Sequence, residues 1–337
     1  MLDDRPDVES EPNAAQSADR AADGALPAAL EALGDLAERD VPIGSMTTYR
    51  VGGAADIFVR ITDPEQLQAV ATAHAVSGLP ILVMGRGSNL LIADAGFRGI
   101  AISIAEMADH IDIETHRSSD ETTLVRAGSG VLLPVLARRT AAAALTGFEW
   151  AVGVPGSIGG AVRMNAGGHG SDLSASLVSV KIADLATPPD RDIVQQMNAD
   201  QLGLRFRGSG LASTQLVIEA TVELSPGDRA AAEAEISEIV QWRRANQPGG
   251  QNAGSVFVNP VPGEVTSGAL IDAAGLRGFR HGTATVSDKH ANFIQADEGG
   301  AADDVRELMR IVRDRVEAAS GWQLRSEIRL VGFEDVF

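Results

Sequence analysis

The sequence predicts an α+β fold in three consecutive parts, and three features of the chain carry that prediction. Short apolar, strand-like runs alternate with single helical patterns over residues 50–105 and again over 110–225. From residue 226 onward, three helical patterns dominate and the strand-like runs between them are brief. With 337 residues, 44% hydrophobic against 22% charged, the chain has apolar surface for two or three domains.

The elements read in order as follows. Residues 1–25 are rich in Asp, Ala, Pro and Ser without an apolar period, and are expected to form an acidic tail lacking regular structure. Leu26, Leu30, Leu33 and Leu36 fit a short amphipathic helix. A strand over Ala54–Ile61 precedes a helix over Pro64–Ser77 with Asp63 as its N-cap. Strands follow at Ile81–Met84, Leu90–Ala93 and Ile100–Ile104. The second part, 106–225, holds a strand at Thr123–Ala127, a helix over Leu132–Leu145 and strands at Leu177–Asp184 and Gln215–Leu224. Between them, Phe148–Gly170 is too rich in glycine to be a helix or an ordinary strand. The third part, 226–321, holds helices over Arg229–Asn246, Ser267–Ala274 and Asp303–Ala319, with strands at Ser255–Pro260 and Ala291–Gln295. In the last helix Val305, Leu308, Met309, Val312 and Val316 share one face. A strand over Gln323–Val331 closes the chain, in a segment 322–337 expected to rejoin the second part. No internal repeat is apparent.

Composition excludes several classes of function. There is no cysteine, so thiolate nucleophiles, disulfides and Cys-based zinc sites are absent, and redox chemistry must rest on a bound cofactor. The net charge of −18 disfavours nucleic acid, whose phosphates recruit basic surfaces. The first 40 residues contribute −8 of it, from eleven acidic and three basic side chains. The N-terminus is acidic and polar, unlike a signal peptide, and no apolar run approaches the roughly 18 residues that span a bilayer. A cytoplasmic protein without membrane contact or obligate protein partner is expected. His169 and His290 lack the spacing of a metal motif, so no metal is expected.

Two loops invite a ligand. Gly85-Arg86-Gly87-Ser88-Asn89 follows a strand and leads into Leu90, and a turn of this kind presents bare backbone N–H groups to phosphate oxygens. Many such turns are only turns. The second loop, from Val152 to Gly160, places four glycines in nine residues around Pro155, Gly156, Ser157 and Gly159, and is followed by Asn165-Ala166-Gly167-Gly168. Backbone packed against a flat ligand explains that density; a tight chain crossing inside the core explains it equally well. Neither loop has the GxGxxG spacing of a Rossmann nucleotide site.

Six segments in one order carry a more specific resemblance: VPIGSMTTYRVGGAAD, ILVMGRGSNLL, FEWAVGVPGSIGGAVRMNAGGHG, NAGSVFVNP, LIDAAGLRGFRHGTATVSDKHANFI and LRSEIRLVG. Together they resemble the UDP-N-acetylenolpyruvoylglucosamine reductase (MurB) family over residues 41–332. The resemblance implies a two-part FAD-binding domain of the vanillyl-alcohol-oxidase (PCMH) type followed by an α+β substrate-binding domain. It implies non-covalent FAD held by residues 85–90 and by Pro155, Gly156, Ser157, Gly159, Asn165, Ala166 and Gly167; GRGSN lacks the histidine of covalently flavinylated relatives. NADPH would be the reductant and a UDP-sugar enol ether the substrate.

On the same resemblance, Ser255 in NAGSVFVNP matches the family's general acid. Arg207 in LRFRGSG matches the arginine of a Tyr-Arg-x-Ser segment, with Phe206 in place of the tyrosine and Arg205 as a neighbouring candidate. Glu327 in LRSEIRLVG matches the family glutamate. Asn259, Lys289 and His290 are expected at the substrate, although Val258 stands where the family often has lysine. Arg277, Arg280, His281, Lys289 and His290 form a basic cluster suited to a diphosphate, or simply a solvated basic face. Two other readings stay open: a sugar or alcohol oxidase of the same superfamily, and an FAD-binding homologue without activity.

Overall fold

The computed structural model describes residues 14–114, 122–188, 191–261 and 263–334. It opens on helix α1 (Ala14–Leu33), which starts twelve residues earlier than the leucine pattern indicates. The expected unstructured tail is therefore corrected over 14–25, where five alanines between 14 and 22 supply the best helix former; residues 1–13 lie outside the described residues. From Leu26 onward α1 packs through Ala29 and Leu33 on helix α2 (Glu65–Ser77) and the apolar side chains beneath it. Deleting residues 1–25 leaves the packed residues Leu26, Ala29 and Leu33 in place, and should leave turnover unchanged and shift the melting temperature by only a few degrees, as a thermal melt will show.

In the first part, strands β1 (Glu38–Val41), β2 (Ala55–Arg60), β3 (Ile81–Val83), β4 (Leu90–Ile92) and β5 (Phe97–Ser103) surround the first glycine loop. Four of them form a sheet in the order β1-β2-β5-β3, parallel except for β1. The expected N-cap Asp63 lies one residue before the observed N-cap Pro64, although its Oδ1 accepts from the Glu65 N–H at 2.8 Å.

The second part is an antiparallel sheet of β6 (Ile111–Ile113), β7 (Thr123–Gly128), β8 (Leu177–Asp184), β9 (Val194–Asn198) and β10 (Gln215–Pro226), ordered β9-β8-β10-β7-β6. Helix α3 (Leu133–Ala142) covers it. The glycine-rich stretch, expected to be irregular, contains a 3₁₀ turn at Glu149–Gly153 and a short helix α4 (Ile158–Met164). Burial of Ile158, Ala161 and Val162 in the core overrides the poor helix propensity of Gly159 and Gly160.

Helix α5 (Arg229–Asn246) was expected in the third part, yet Ala232, Ile236 and Ile239 bury against the core of the second. The third part proper contains α6 (Ser267–Ala273), a meander of β11 (Arg280–His281), β12 (Ala284–Val286) and β13 (Ile294–Ala296), and α7 (Ala302–Ser320). The expected strand at 255–260 does not form: its backbone is only partly paired, for a reason given below. The final strand β14 (Arg329–Val331) pairs in parallel with β4, so the chain end rejoins the first part and not the second. The expected attachment to the second part is corrected accordingly.

A second link joins the third part to the first. Asp94, just beyond β4, accepts from the N–H groups of Ala302 and Asp303, both at 3.0 Å, and so caps α7 from 208 residues away. An Asp94→Ala variant should lose about 0.5–2 kcal/mol of stability, the usual worth of a cap, read from chemical denaturation.

Candidate active site

One cavity of about 1150 Å³ runs between the three parts. It exceeds the ~300–1,000 Å³ of sites for drug-sized ligands, as an extended dinucleotide requires. Its wall includes residues 85–90, Pro155, Gly156, Ser157, Gly159, Ala166 and Gly167, and also Arg207, Ser255 and Glu327. Asn165 is the exception among the expected cofactor residues. It sits behind the wall, 3% exposed, with φ of 40°. Its side chain donates to Asp172 and to the Arg205 carbonyl and accepts from the Ser174 N–H. From behind the wall its side chain holds the loop together.

The two glycine loops meet each other. A Cβ on Gly85 would fall 2.5 Å from Ser157 Oγ, and one on Gly156 would fall 3.5 Å from Ser88 Oγ. Among the described residues, no backbone N–H of residues 85–89 donates to a protein acceptor. A run of free donors on bare backbone, facing a cavity of dinucleotide size, fits the pyrophosphate of FAD. Gly87 has a different reason to be glycine: φ is +65° and a Cβ would lie 2.8 Å from Thr47 Cα. Gly159 and Gly167 are likewise required by neighbouring chain, at Ser129 and Asp172.

At the other end, Arg207 Nε donates to Glu327 Oε1 at 2.7 Å and Nη2 donates to the Gly167 carbonyl at 2.9 Å. The Phe206 ring lies against the guanidinium, 4.8 Å from centroid to Cζ, so phenylalanine supplies the flat support that the position offers. Arg205 instead donates to the Gly203 carbonyl and does not line the cavity, whereas Arg207 does. Arg207 itself holds φ of 56°, a left-handed conformation unusual for a side chain of this size. Asn89 Nδ2 donates to the Glu327 carbonyl at 3.1 Å, tying the first loop to the same pair. Burial pushes the Glu327 carboxyl above its usual range, against the opposing pull of Arg207.

Ser255 is half-buried and lines both this cavity and a second one of about 430 Å³. The second cavity is walled by Asn259, Arg277, Lys289 and His290 among others. All three expected substrate residues therefore open onto one space beyond Ser255. Two qualifications apply. Asn259 Oδ1 also accepts from the Ser267 N–H, and Lys289 Nζ donates to the Arg244 carbonyl. The basic cluster divides: Arg277 lines the cavity, where its Nε donates to Asp272 at 2.6 Å, whereas Arg280 pairs with Asp297 on the meander. Burial, then the charge of Arg277, hold the His290 imidazole below its usual pKa.

The wall carries further polar groups that no sequence pattern singles out. Arg163, Arg243 and Arg329 line the main cavity, and burial lowers the first two guanidinium pKa values. Gln247 Oε1 is buried there without a hydrogen-bond partner among the described residues. Their common signal is spatial: α4, α5 and β14 bring them to one wall. No group of three or more metal-binding side chains occurs among the described residues, and none of their helices is long and apolar enough to cross a membrane.

Comparison with known proteins places this arrangement. Residues 55–187 match the model of an FAD binding domain, and residues 246–331 match that of the UDP-N-acetylenolpyruvoylglucosamine reductase C-terminal domain. A UDP-N-acetylenolpyruvoylglucosamine reductase of Heliobacterium modesticaldum is 38% identical over 86% of this chain and 89% of its own length. One from Gloeobacter violaceus is 38% identical over 88% and 97%. The crystal structure of the reductase from Thermus caldophilus superposes with a TM-score of 0.71 at 31% identity, covering 88% of this chain and 98% of that one. With relatives this similar over nearly their whole length, the chain belongs to the UDP-N-acetylenolpyruvoylglucosamine reductase (MurB) family.

Proposed function

We propose that this chain reduces the enolpyruvyl group of UDP-N-acetylenolpyruvylglucosamine to give UDP-N-acetylmuramate, with FAD as cofactor and NADPH as reductant, a step of peptidoglycan precursor synthesis in the cytoplasm. The observation that carries the reading is the convergence of Ser255, Arg207 and Glu327 on the one cavity that the two glycine loops also line. FAD, when bound, supplies the means of passing a hydride from NADPH to the substrate's β-carbon.

The protein's own groups do the rest. Hydride addition to an enol ether conjugated with a carboxylate builds negative charge on that carboxylate and the α-carbon. Arg207, held by Glu327 and the Gly167 carbonyl, stabilises that charge with a fixed guanidinium. The Glu327 carboxyl, with its raised pKa, is suited to share a proton with the substrate carboxylate. Ser255 Oγ, at the junction of the two cavities, donates the proton to the α-carbon. The second cavity takes the UDP portion, with Arg277 and Lys289 toward its phosphates. Steady-state assay tests this: NADPH oxidation should require the UDP-enolpyruvyl sugar. Oxidation at an equal rate without it, or with a simple sugar and oxygen, contradicts the reading.

A further inference from the structure

We infer that Asn292 is a positioning residue for Ser255, acting as a side-chain substitute for the missing edge of a strand. The segment that carries Ser255 is bridged by neighbouring chain on one side only, around Arg325 and Glu327. There, Glu327 N–H donates to the Val256 carbonyl at 2.8 Å and Val258 N–H donates to the Arg325 carbonyl at 2.9 Å. On the other side stands one residue. The Asn292 carbonyl accepts from Val256 N–H at 2.9 Å. Its side chain then spans the next residue: Oδ1 accepts from Phe257 N–H at 3.0 Å and Nδ2 donates to the Phe257 carbonyl at 2.8 Å.

The amide thus reproduces both bonds that a neighbouring strand would make to Phe257. Asn292 is 4% exposed and Phe257 1%, so water does not compete for these bonds. Ser255 lies one residue before this clamp and shows no hydrogen bond of its own among the described residues. Its position is therefore set by Val256 and Phe257, held between Asn292 and the strand bearing Glu327. Asn292 also lines the second cavity, so the clamp fixes Ser255 relative to both spaces. Only asparagine has the reach and the paired acceptor and donor; aspartate keeps the shape and loses the donor.

This inference rests on the proposed role of Ser255, and the test separates the two. Asn292→Asp and Asn292→Ser are prepared beside Ser255→Ala and the Asn292→Asp/Ser255→Ala double variant, and the two half-reactions are followed by stopped-flow flavin absorbance. Expected for Asn292→Asp is FAD content and flavin reduction by NADPH within about twofold of the parent. Its enolpyruvyl-dependent reoxidation should be slower by roughly 10-fold to 10²-fold, as a misplaced donor implies. The solvent deuterium isotope effect on that step should rise, because proton delivery becomes limiting. In the double variant the losses should not add. The inference is overturned if Ser255→Ala slows reoxidation while both Asn292 variants leave it unchanged, or if the losses in the double variant multiply. It is equally overturned if the Asn292 variants slow both half-reactions alike or fail to fold, since the role is then structural. If Ser255→Ala itself has no effect, the role given to Ser255 fails first.

Discussion

Ser255→Ala protein should bind FAD and accept hydride from NADPH at close to the parental rate, while its reoxidation by the enolpyruvyl substrate slows by roughly 10²-fold or more. The asymmetry follows from where the hydroxyl sits. Ser255 lies at the junction of the two cavities, whereas the glycine loops proposed to receive the cofactor are separate elements of the first and second parts. Removing Oγ takes away a proton donor and disturbs no hydrogen bond among the described residues. Arg207→Ala is a less specific probe: it also frees the half-buried Glu327 carboxyl and the Gly167 carbonyl. Equal slowing of both half-reactions by Ser255→Ala would make the serine structural.

Gly156→Val should yield folded protein that has lost its FAD and, with it, all turnover. A Cβ at Gly156 meets only ordinary contacts, 3.5 Å to Ser88 Oγ and 3.8 Å to Leu133, so the backbone tolerates it. The two methyl groups beyond it enter the space where the loops face each other. Gly87→Val, by contrast, sets a β-branched side chain at φ +65° and drives Cβ into the Thr47 backbone. That variant should be destabilised as a fold, by about 1–3 kcal/mol or more from strain alone. Circular dichroism with flavin absorbance separates the cases. Gly156→Val that stays yellow would move the cofactor away from the loop junction.

The sequence carries the strongly patterned elements well. Leu177–Asp184 and Arg229–Asn246 are found at their true ends, the latter because Asp228 caps it through the Ala231 N–H. It misleads where local preference and tertiary packing disagree. Gly159 and Gly160 hide α4, whose apolar face is secured by the core, and the apolar run around Ser255 imitates a strand although its second neighbour is a single asparagine. The proposed catalytic set is legible only by resemblance: residues 207, 255 and 327 share no periodicity, and Glu327 meets Arg207 across 120 residues of chain. Asn292 and Gln247 leave no local trace at all, because what marks them is an acceptor left bare or a backbone bridged at long range. The assignment of α5 fails for a related reason, since a helix shows which face is apolar and not which core receives it.

The central claim, that the electrons held by this protein go to an enolpyruvyl group, is tested by one anaerobic measurement. The FAD-loaded protein is reduced with one equivalent of NADPH, freed of excess nucleotide, and mixed with UDP-N-acetylenolpyruvylglucosamine without oxygen. The account predicts return of the oxidised flavin absorbance, with one UDP-N-acetylmuramate formed per flavin. Flavin that stays reduced until oxygen is admitted would contradict it and leave an oxidase as the reading.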